Sequence, residues 1–243
     1  MKYFHYYLCR QLKDGGMEIA MGLKQLIQRI IYPTRYSSEA LIKHIRSGGG
    51  KVGNNCCFFG SSSIFVDDGS LQYISIGDNV NITRDVIILA HDFSYSVLEK
   101  TDDPASLRPQ MFTNIGNNVF IGMRSIILQG ANIGDNVIIG AGSVVSGKVE
   151  SNSVYAGNPA KKICSLEEHK NKLAKRFPKS AAAYAKGFQM THGRIPTNEE
   201  MVIYSSLISG YENSYNGINR NILRGFKKYK SVEKLMETNL EEI

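Results

Sequence analysis

The dominant pattern in this chain is an aliphatic residue that returns at every sixth position in its centre. A period of six fits neither an α-helix, with about 3.6 residues per turn, nor a half-buried strand, with a period of about two. The pattern therefore indicates a structural repeat. The repeated positions are Ile115, Ile121, Ile127, Ile133, Ile139 and Val145, and the residues four places further along are Val119, Ser125, Ala131, Val137, Ser143 and Val149.

Each repeat describes a short strand followed by a tight corner. Three such strands complete one coil of a triangular prism, and successive coils stack through backbone hydrogen bonds. The aliphatic residue points into the prism, and the residue four places later faces inward near a corner. Glycine often follows the aliphatic residue, as at Gly116, Gly122, Gly134 and Gly140, because corner backbones favour it.

The same frame continues upstream and then breaks once. It runs through Val52, Phe58, Ile64, Ser70, Ile76, Ile82 and Ile88. Ser70, and Asp68 at a four-places-later position, are polar, which predicts a coil that is distorted or faces a ligand. Ile88 and Ile115 are 27 residues apart, which is not a multiple of six. We therefore predict that the polar segment 92–114 is a loop that protrudes from the prism.

Three regions follow from the change of period. Residues 1–51 form a helical N-terminal segment, residues 52–163 form the prism with its protruding loop 92–114, and residues 164–243 form a helical C-terminal extension. In the first region, one amphipathic helix has its apolar face between Ile19 and Ile31, and a second begins near Ser37 or Ser38.

The C-terminal extension carries two helix-start signals. Ser165 with Glu168, and Thr197 with Glu200, have the spacing of capping boxes. A last amphipathic helix is predicted from the spacing of apolar residues near the end of the chain. These residues are Ile222, Leu223, Phe226, Leu235 and Met236.

Composition limits which binding partners and which cellular compartment are expected for this protein. The net charge of +7 suits an anionic small molecule or membrane surface as well as nucleic acid, but no nucleic-acid-binding motif is present. No apolar run approaches the length of a membrane span, and Met1 to Arg10 lack the apolar stretch and cleavage site of a signal peptide, so we expect neither. Four cysteines without metal-ligand spacing indicate reduced thiols and a cytoplasmic protein. For the basic face of the first helix we favour packing within the protein or its oligomer, with peripheral membrane association as the alternative.

His91 is the candidate catalytic residue. It is the one histidine within the predicted prism, three residues after Ile88 and at the root of the protruding loop. A histidine at the edge of a cleft can take a proton from an acceptor group at neutral pH. A carboxylate or carbonyl must then orient its other ring nitrogen. Asp92 is adjacent, and Asp78 and Asp85 lie on preceding turns, so the sequence leaves this partner open.

The chain resembles the hexapeptide-repeat acyltransferases. The resemblance is carried by IGNNVFIGMRSIILQGANIGDNVIIGAGSVVSGKVESNSVYAGNPAKKI, with NVNITRDVIILAHDFS before it, and covers roughly residues 50–165. It is similar above all to the O-acetyltransferases that act on maltose, galactosides and bacterial surface polysaccharides. The resemblance implies a left-handed parallel β-helix, a homotrimer with active sites between adjacent prisms, acetyl-CoA as acyl donor, no metal, and His91 as catalytic base, with Asp92 beside it.

The resemblance also implies positions for the donor and the acceptor. The family's cofactor contacts run down one edge of the prism and correspond here to Met123, Ala141, Ser146, Gly147, Lys148 and Lys161. Met123 stands where the family often has a small residue, Ser146-Gly147 where it often has Thr-Lys, and Cys164 where an arginine is common. Asp67 or Asp68 corresponds to the family's acceptor-binding aspartate.

These features predict an acetyl-CoA-dependent O-acetyltransferase that acts on a carbohydrate hydroxyl, in a bacterial surface polysaccharide or its precursor. The alternatives are N-acetylation of an amino-sugar nucleotide and acetylation of serine or a xenobiotic. A zinc-dependent hydratase of the same fold needs about three histidine ligands, and the prism supplies one. A non-catalytic scaffold would need neither His91 nor the residues that match the cofactor edge.

Overall fold

The computed structural model describes residues 29–101, 110–209 and 228–240. Within these ranges the chain forms fifteen short strands, three 3-10 turns and four complete helices, besides the helical residues 29–31. The strands are β1 Lys51–Val52, β2 Cys57–Phe58, β3 Phe65–Val66, β4 Ile74–Ile76, β5 Asn81–Ile82, β6 Ile87–Ile88, β7 Thr113–Ile115, β8 Phe120–Ile121, β9 Ile126–Ile127, β10 Asn132–Ile133, β11 Val137–Ile139, β12 Val144–Val145, β13 Lys148–Val149, β14 Ser153–Ala156 and β15 Lys161–Ser165. The helices are α1 Ser38–Ser47, α2 Tyr95–Leu98, α3 Leu166–His192 and α4 Val232–Leu240, and the 3-10 turns are Ser61–Ser63, Asp68–Tyr73 and Val202–Leu207.

The strands form three sheets in which each strand pairs with the third strand along the chain. The first sheet has the order β1-β4-β7-β10-β13, the second β2-β5-β8-β11-β14-β15, and the third β3-β6-β9-β12. Neighbouring strands are parallel, apart from the antiparallel pair β14 and β15 that ends the second sheet. A chain that visits three sheets in rotation winds around a triangular prism. The predicted left-handed β-helix is confirmed.

The repeated aliphatic residues form the core of the prism. Ile115 pairs with Ile133, and Ile121 pairs with Ile139, so equivalent residues stack 18 positions apart on successive coils. Both pairs are buried, as are the serines four places after the aliphatic residues, such as Ser125. Stacked aliphatic side chains keep the interior dry, and the small side chains leave room for the corner backbone.

The first coil is longer than the repeat predicts. Val52 pairs with Ile76, 24 residues later, instead of 18. The strand residue of the third sheet is Val66, which pairs with Ile88, although Ile64 is also buried. Because the coil is longer by six residues, which is one full repeat, the period of six continues in phase. The sequence pattern therefore does not reveal that this coil is longer. The polar residues at 68 and 70 lie within this addition, in the 3-10 turn Asp68–Tyr73.

One row of corners, between the first and second sheets, is built from asparagines in the left-handed backbone region. Asn79, Asn118, Asn136 and Asn152 have φ values of 57°, 54°, 57° and 56°. Their side chains form a ladder, in which Asn118 Nδ2 donates to Asn136 Oδ1 at 2.7 Å and Asn136 Nδ2 donates to Asn152 Oδ1 at 2.9 Å. Asparagine tolerates this backbone conformation better than most residues do, which explains its recurrence at these corners.

Helix α1 covers the first coil. Its N-cap is Ser37, whose Oγ accepts a hydrogen bond from the Ala40 backbone N–H at 3.1 Å, and it buries Leu41 and Ile45 within the core of the prism. The amphipathic helix predicted from Ile19 to Ile31 lies outside the described residues, except for residues 29–31, which are helical.

The described residues from Lys170 onward belong to a second compact unit with a core of its own. The Ser165–Glu168 capping box is present at the start of α3, with reciprocal hydrogen bonds of 2.7 and 3.1 Å. The Thr197–Glu200 box also forms, but it precedes the 3-10 turn Val202–Leu207 instead of an α-helix.

Helix α4 closes this unit by burying Leu235 and Met236, while Ile222, Leu223 and Phe226 of the predicted last helix lie outside the described residues. No helix in the described parts of the chain is both long and apolar enough to cross a membrane.

Candidate active site

Both additions to the repeat lie at the same corner of the prism, where the third sheet leads into the first. The 3-10 turn Asp68–Tyr73 connects β3 to β4, and the protruding loop connects β6 to β7. Because β3 and β6 are hydrogen-bonded neighbours, the two additions project from adjacent coils. The space between them is the candidate active site.

His91 and Asp67 form a hydrogen-bonded pair across these two coils. His91 Nδ1 contacts Asp67 Oδ2, and the same oxygen accepts a hydrogen bond from the Ala90 backbone N–H at 3.1 Å. The Asp67 side chain is 3% exposed and that of His91 is 41% exposed. An ionised carboxylate only accepts hydrogen bonds, so Nδ1 carries the proton and Nε2 presents a lone pair. The pair thus provides an oriented base with one accessible nitrogen.

The cleft around this pair has a volume of about 280 Å³. Its lining combines the 3-10 turn of the first coil with the root of the loop on the second coil: Asp67, Gly69, Ser70, His91, Asp92, Phe93, Tyr95 and Gln110. The rings of Phe93 and Tyr95 lie 5.1 Å apart at its rim, and Phe93 is 66% exposed. A polar floor beside exposed aromatic rings suits a hydroxylated ligand with an apolar face.

The base of the loop is fastened to the prism. Thr113 Oγ1 donates to the Leu89 carbonyl at 2.7 Å, and Gly130 N–H donates to Thr113 Oγ1 at 3.2 Å. A backbone bridge also joins His91 to Gln110. His91 therefore stands on a fixed root rather than on the far end of the loop.

The three aspartates considered as partners of His91 are engaged elsewhere. Asp92 accepts hydrogen bonds from the backbone N–H of Ser94 at 2.8 Å and from its hydroxyl at 2.9 Å, and these bonds lower the pKa of Asp92. Asp78 Oδ1 accepts from the Asn54 N–H at 2.6 Å, and Asp85 lies 3.7 Å from Arg124. Asp92 lines the cleft but does not orient His91.

The two candidate acceptor-binding aspartates, Asp67 and Asp68, have different partners. The carboxylate of Asp67 holds His91, a role that differs from the one predicted. The carboxylate of Asp68 is 56% exposed and lies 2.7 Å from His44 Nε2, so this second pair links α1 to the turn that follows Asp67. Sequence reasoning missed Asp67 as the partner because 24 residues separate it from His91, although the polar residues at 68 and 70 marked the coil.

The residues matched to the cofactor edge occupy two corners of the prism. Met123 and Ala141 precede β9 and β12, and the Gly142 N–H donates to the Met123 carbonyl at 2.8 Å. Ser146 and Gly147 follow β12, at the corner row that carries Asp67 and His91. These four residues therefore lie at two corners that flank one flat face, with strand β12 between them, and not along the single edge expected from the sequence. Lys148 and Lys161 begin strands β13 and β15.

Both corners leave open space beside the backbone. Gly142 and Gly147 have φ values of 70° and 63°, and a Cβ atom at either position would meet nothing within 4 Å. A narrow, chain-like ligand fits against such bare backbone. Lys148 and Lys161 are exposed. Lys162 is 2.6 Å from Glu150, and the hydrogen bond and the negative charge of Glu150 raise the pKa of this lysine.

Among the described residues, no group of three or more His, Cys, Asp or Glu side chains is arranged to hold a metal ion.

Comparison with known proteins assigns the chain to a family. Residues 112–147 match the bacterial transferase hexapeptide (six repeats) family. Protein CapG of Staphylococcus aureus is 45% identical over 131 residues, which are 53% of this chain and 73% of that protein. The chain belongs to the hexapeptide-repeat acyltransferases, as its sequence predicted.

Two solved structures are also similar in part. A maltose O-acetyltransferase from Clostridium difficile is 29% identical over 52% of this chain and 75% of its own, with a TM-score of 0.37. Soybean serine acetyltransferase complexed with serine is 26% identical over 47% of this chain, with a TM-score of 0.36. The match spans 40% of the length of the soybean enzyme.

Proposed function

We propose that this protein is an acetyl-CoA-dependent O-acetyltransferase that acts on a carbohydrate hydroxyl, in a bacterial surface polysaccharide or its precursor. The observation that carries the proposal is the His91–Asp67 pair at the floor of the cleft. A half-exposed histidine held through Nδ1 by a buried carboxylate is the arrangement required of a general base. Family membership supplies the reaction class.

The reaction follows from the accessible nitrogen of His91. Nε2 removes the proton of the acceptor hydroxyl, and the resulting oxygen attacks the carbonyl carbon of the thioester. A C–O bond forms, the C–S bond breaks, and the proton on Nε2 passes to the departing thiolate. The imidazolium that exists between these steps is stabilised by the Asp67 carboxylate, which is buried and therefore little screened by solvent.

We assign the donor to the flat face between the two corners. The backbone at Ala141 and Gly142 would hold the pantetheine arm, since bare backbone allows close approach. Ser146 and Gly147 lie on the same corner row as His91, and Met123 lies one coil before Ala141. The exposed cations Lys148 and Lys161 would meet the phosphates of the donor.

We assign the acceptor to the cleft. The rings of Phe93 and Tyr95 offer an apolar face to a sugar ring, and Ser70 and Gln110 offer hydrogen-bonding groups. The hydrogen bonds from Ser94 lower the pKa of Asp92, and its carboxylate lines the cleft, where it would accept hydrogen bonds from sugar hydroxyls.

We further propose a cytoplasmic homotrimer, in which the donor face of one prism meets the cleft of the next. Exposed apolar side chains on the outer faces of the prism support such an assembly, because Phe65 and Phe120 are 42% and 40% exposed and Met123 is 46% exposed. The thiols of Cys56 and Cys164 are free, as expected in a reducing compartment.

The test measures thiol release from acetyl-CoA with a panel of sugars and polysaccharide fragments. We expect release with a carbohydrate acceptor, and we expect His91→Ala to reduce kcat about 10²–10⁴-fold while acetyl-CoA still binds. His192→Ala, which removes a histidine from the second unit, is the matched control and keeps full activity. Full activity in His91→Ala would refute the mechanism, and absence of acetyl-CoA binding to the wild-type protein would refute the proposed function.

A further inference from the structure

The positive charge of this chain is concentrated in one segment. Residues 169–198 contain seven Lys or Arg residues and no Asp or Glu, whereas the whole chain has 29 basic and 22 acidic residues. The remainder of the chain therefore has 22 residues of each sign, and the net charge of +7 resides entirely in this segment. Most of it is helix α3.

The basic residues are arranged along one side of the helix. At about 100° per residue, six side chains fall within an arc of about 100°. They are Lys172, Lys175, Arg176, Lys179, Lys186 and Met190, and all six are exposed. We call this surface the basic face of α3. Ala181 and Ala185, which are fully buried, lie on the side of the helix that is turned away from it.

The basic face is not explained by the packing of the second unit. The core of that unit contains Ala181 and Ala185 from α3, together with residues of the later segments. Like charges at helical neighbours such as Lys172 and Arg176 repel each other and reduce the stability of a helix. An anionic partner would remove this cost by neutralising the whole face.

The chemistry of the face favours a lipid surface over a polymer. Four of its five cations are lysines, which act as hydrated point charges and do not form the bidentate contacts by which arginine recognises a particular anionic group. The face lies along one continuous helix, which contains Pro178, and spans roughly 27 Å at 1.5 Å per residue, which suits an extended array of phosphates. Met190, 80% exposed, adds an apolar tip of the kind that enters the boundary between headgroups and acyl chains.

We propose that the basic face of α3 binds the surface of an anionic lipid bilayer. Clusters of four to eight basic residues on an amphipathic helix bind such surfaces, with a gain of about 1 kcal/mol for each cation near the membrane. This inference rests on α3 alone and does not depend on the His91 cleft or on the reaction proposed for it.

Sedimentation with vesicles tests the proposal on the full chain. The wild-type protein is expected to bind phosphatidylcholine vesicles that contain about 30% phosphatidylglycerol, and not pure phosphatidylcholine vesicles. Binding is expected to disappear at about 0.5 M NaCl, because salt screens surface charges. The combined variant Lys172→Gln, Lys175→Gln, Arg176→Gln and Lys186→Gln is expected to weaken binding about 10³-fold.

A second variant separates the basic face from total charge. The changes Lys43→Gln, Lys51→Gln, Lys100→Gln and Lys230→Gln also remove four exposed charges, so both variants have a net charge of +3 instead of +7. This control is expected to bind anionic vesicles as the wild type does. Equal loss in both variants, or no binding by the wild type, would overturn the proposal. So would binding of a soluble polyanion such as dextran sulfate through the same four residues without binding to vesicles, which would assign the face to an acidic polymer.

Discussion

Asp67 holds His91 through Nδ1 from 24 residues away in the chain, because the third sheet stacks the two coils that carry them. The histidine stands at the root of the protruding loop, and the carboxylate stands at the start of the 3-10 turn on the coil before it. Orientation of the base therefore depends on the pairing of Val66 with Ile88. The strand pairing therefore sets the distance between the proposed base and its carboxylate.

Asp67→Asn is expected to lower kcat about 10²-fold while leaving the KM for acetyl-CoA unchanged. The substitution keeps the size of the side chain but removes the charge that stabilises the imidazolium and fixes the proton on Nδ1. Steady-state thiol release measures both constants. Asp85→Asn, on an exposed corner near Arg124, is the control and should behave as the wild type does. An unchanged kcat in Asp67→Asn would remove the orienting role of this carboxylate.

Asn136→Ala is expected to destabilise the prism by about 2 kcal/mol, whereas Asn136→Gly should cost about half as much. Both substitutions break the amide ladder to Asn118 and Asn152. Only alanine is also strained at the φ of 57° that this corner requires. Urea unfolding measures the two free energies. Equal losses would mean that the ladder, and not the backbone conformation, selects asparagine here.

Gly122→Ala is expected to destabilise the protein by about 1–3 kcal/mol. A Cβ atom at this position would lie 2.5 Å from the backbone nitrogen and 2.8 Å from the Cα of Ala141 on the next coil, and backbone atoms cannot move aside as a flexible side chain does. Gly187→Ala is the contrasting change, because a Cβ there meets nothing within 4 Å. In helix α3 that substitution should stabilise by up to about 1 kcal/mol. Thermal unfolding distinguishes the two, and a neutral Gly122→Ala would show that the coils can separate at this corner.

The bidentate pair between Arg194 and Glu200 predicts acid sensitivity in the second unit. Its hydrogen bonds of 2.7 and 2.8 Å, with a further bond from the Thr197 N–H, lower the pKa of Glu200 from 4.5 to about 2. The unfolded chain therefore takes up this proton at a higher pH than the folded chain. The stabilisation is complete above about pH 4.5 and is lost as the pH falls towards 2.

The unfolding temperature should accordingly drop more steeply between pH 5 and pH 3 in the wild type than in Glu200→Gln, which lacks the titrating group. Glu199→Gln removes a neighbouring exposed carboxylate and leaves the pair intact, so its pH profile should follow that of the wild type. Parallel profiles for the wild type and Glu200→Gln would contradict the assignment.

The regular part of the fold could be predicted because it is local and periodic. The positions from Ile115 to Val145 specify both the inward face of each strand and the length of each coil. The first coil could not be predicted in the same way, since its six additional residues preserve the phase of the repeat while moving the strand position from Ile64 to Val66. Prediction failed for the partner of His91 for the same reason, because that partner lies in the added turn.

The two cofactor corners illustrate a different limit. A repeat of six identifies equivalent positions but does not state on which of three corner rows a residue lies. Ala141 and Ser146 are five residues apart, and strand β12 between them is sufficient to put them at different corners. In the regular coils, residues share a row only when they are a multiple of 18 positions apart, because three strands complete one coil.

The hydrogen bond between Thr113 and Leu89 joins the two ends of the protruding loop, so the loop can differ while its attachment to the prism stays the same. The threonine hydroxyl ties the base of the loop to the prism, and among the described residues the hydrophobic core of the prism has no member between Ala90 and Ile115. Replacing the segment between His91 and Gln110 with that of a homologous enzyme should therefore exchange acceptor preference while leaving the base and its carboxylate in place. The choice of acceptor would then change through the single connection between β6 and β7, without changes in the prism.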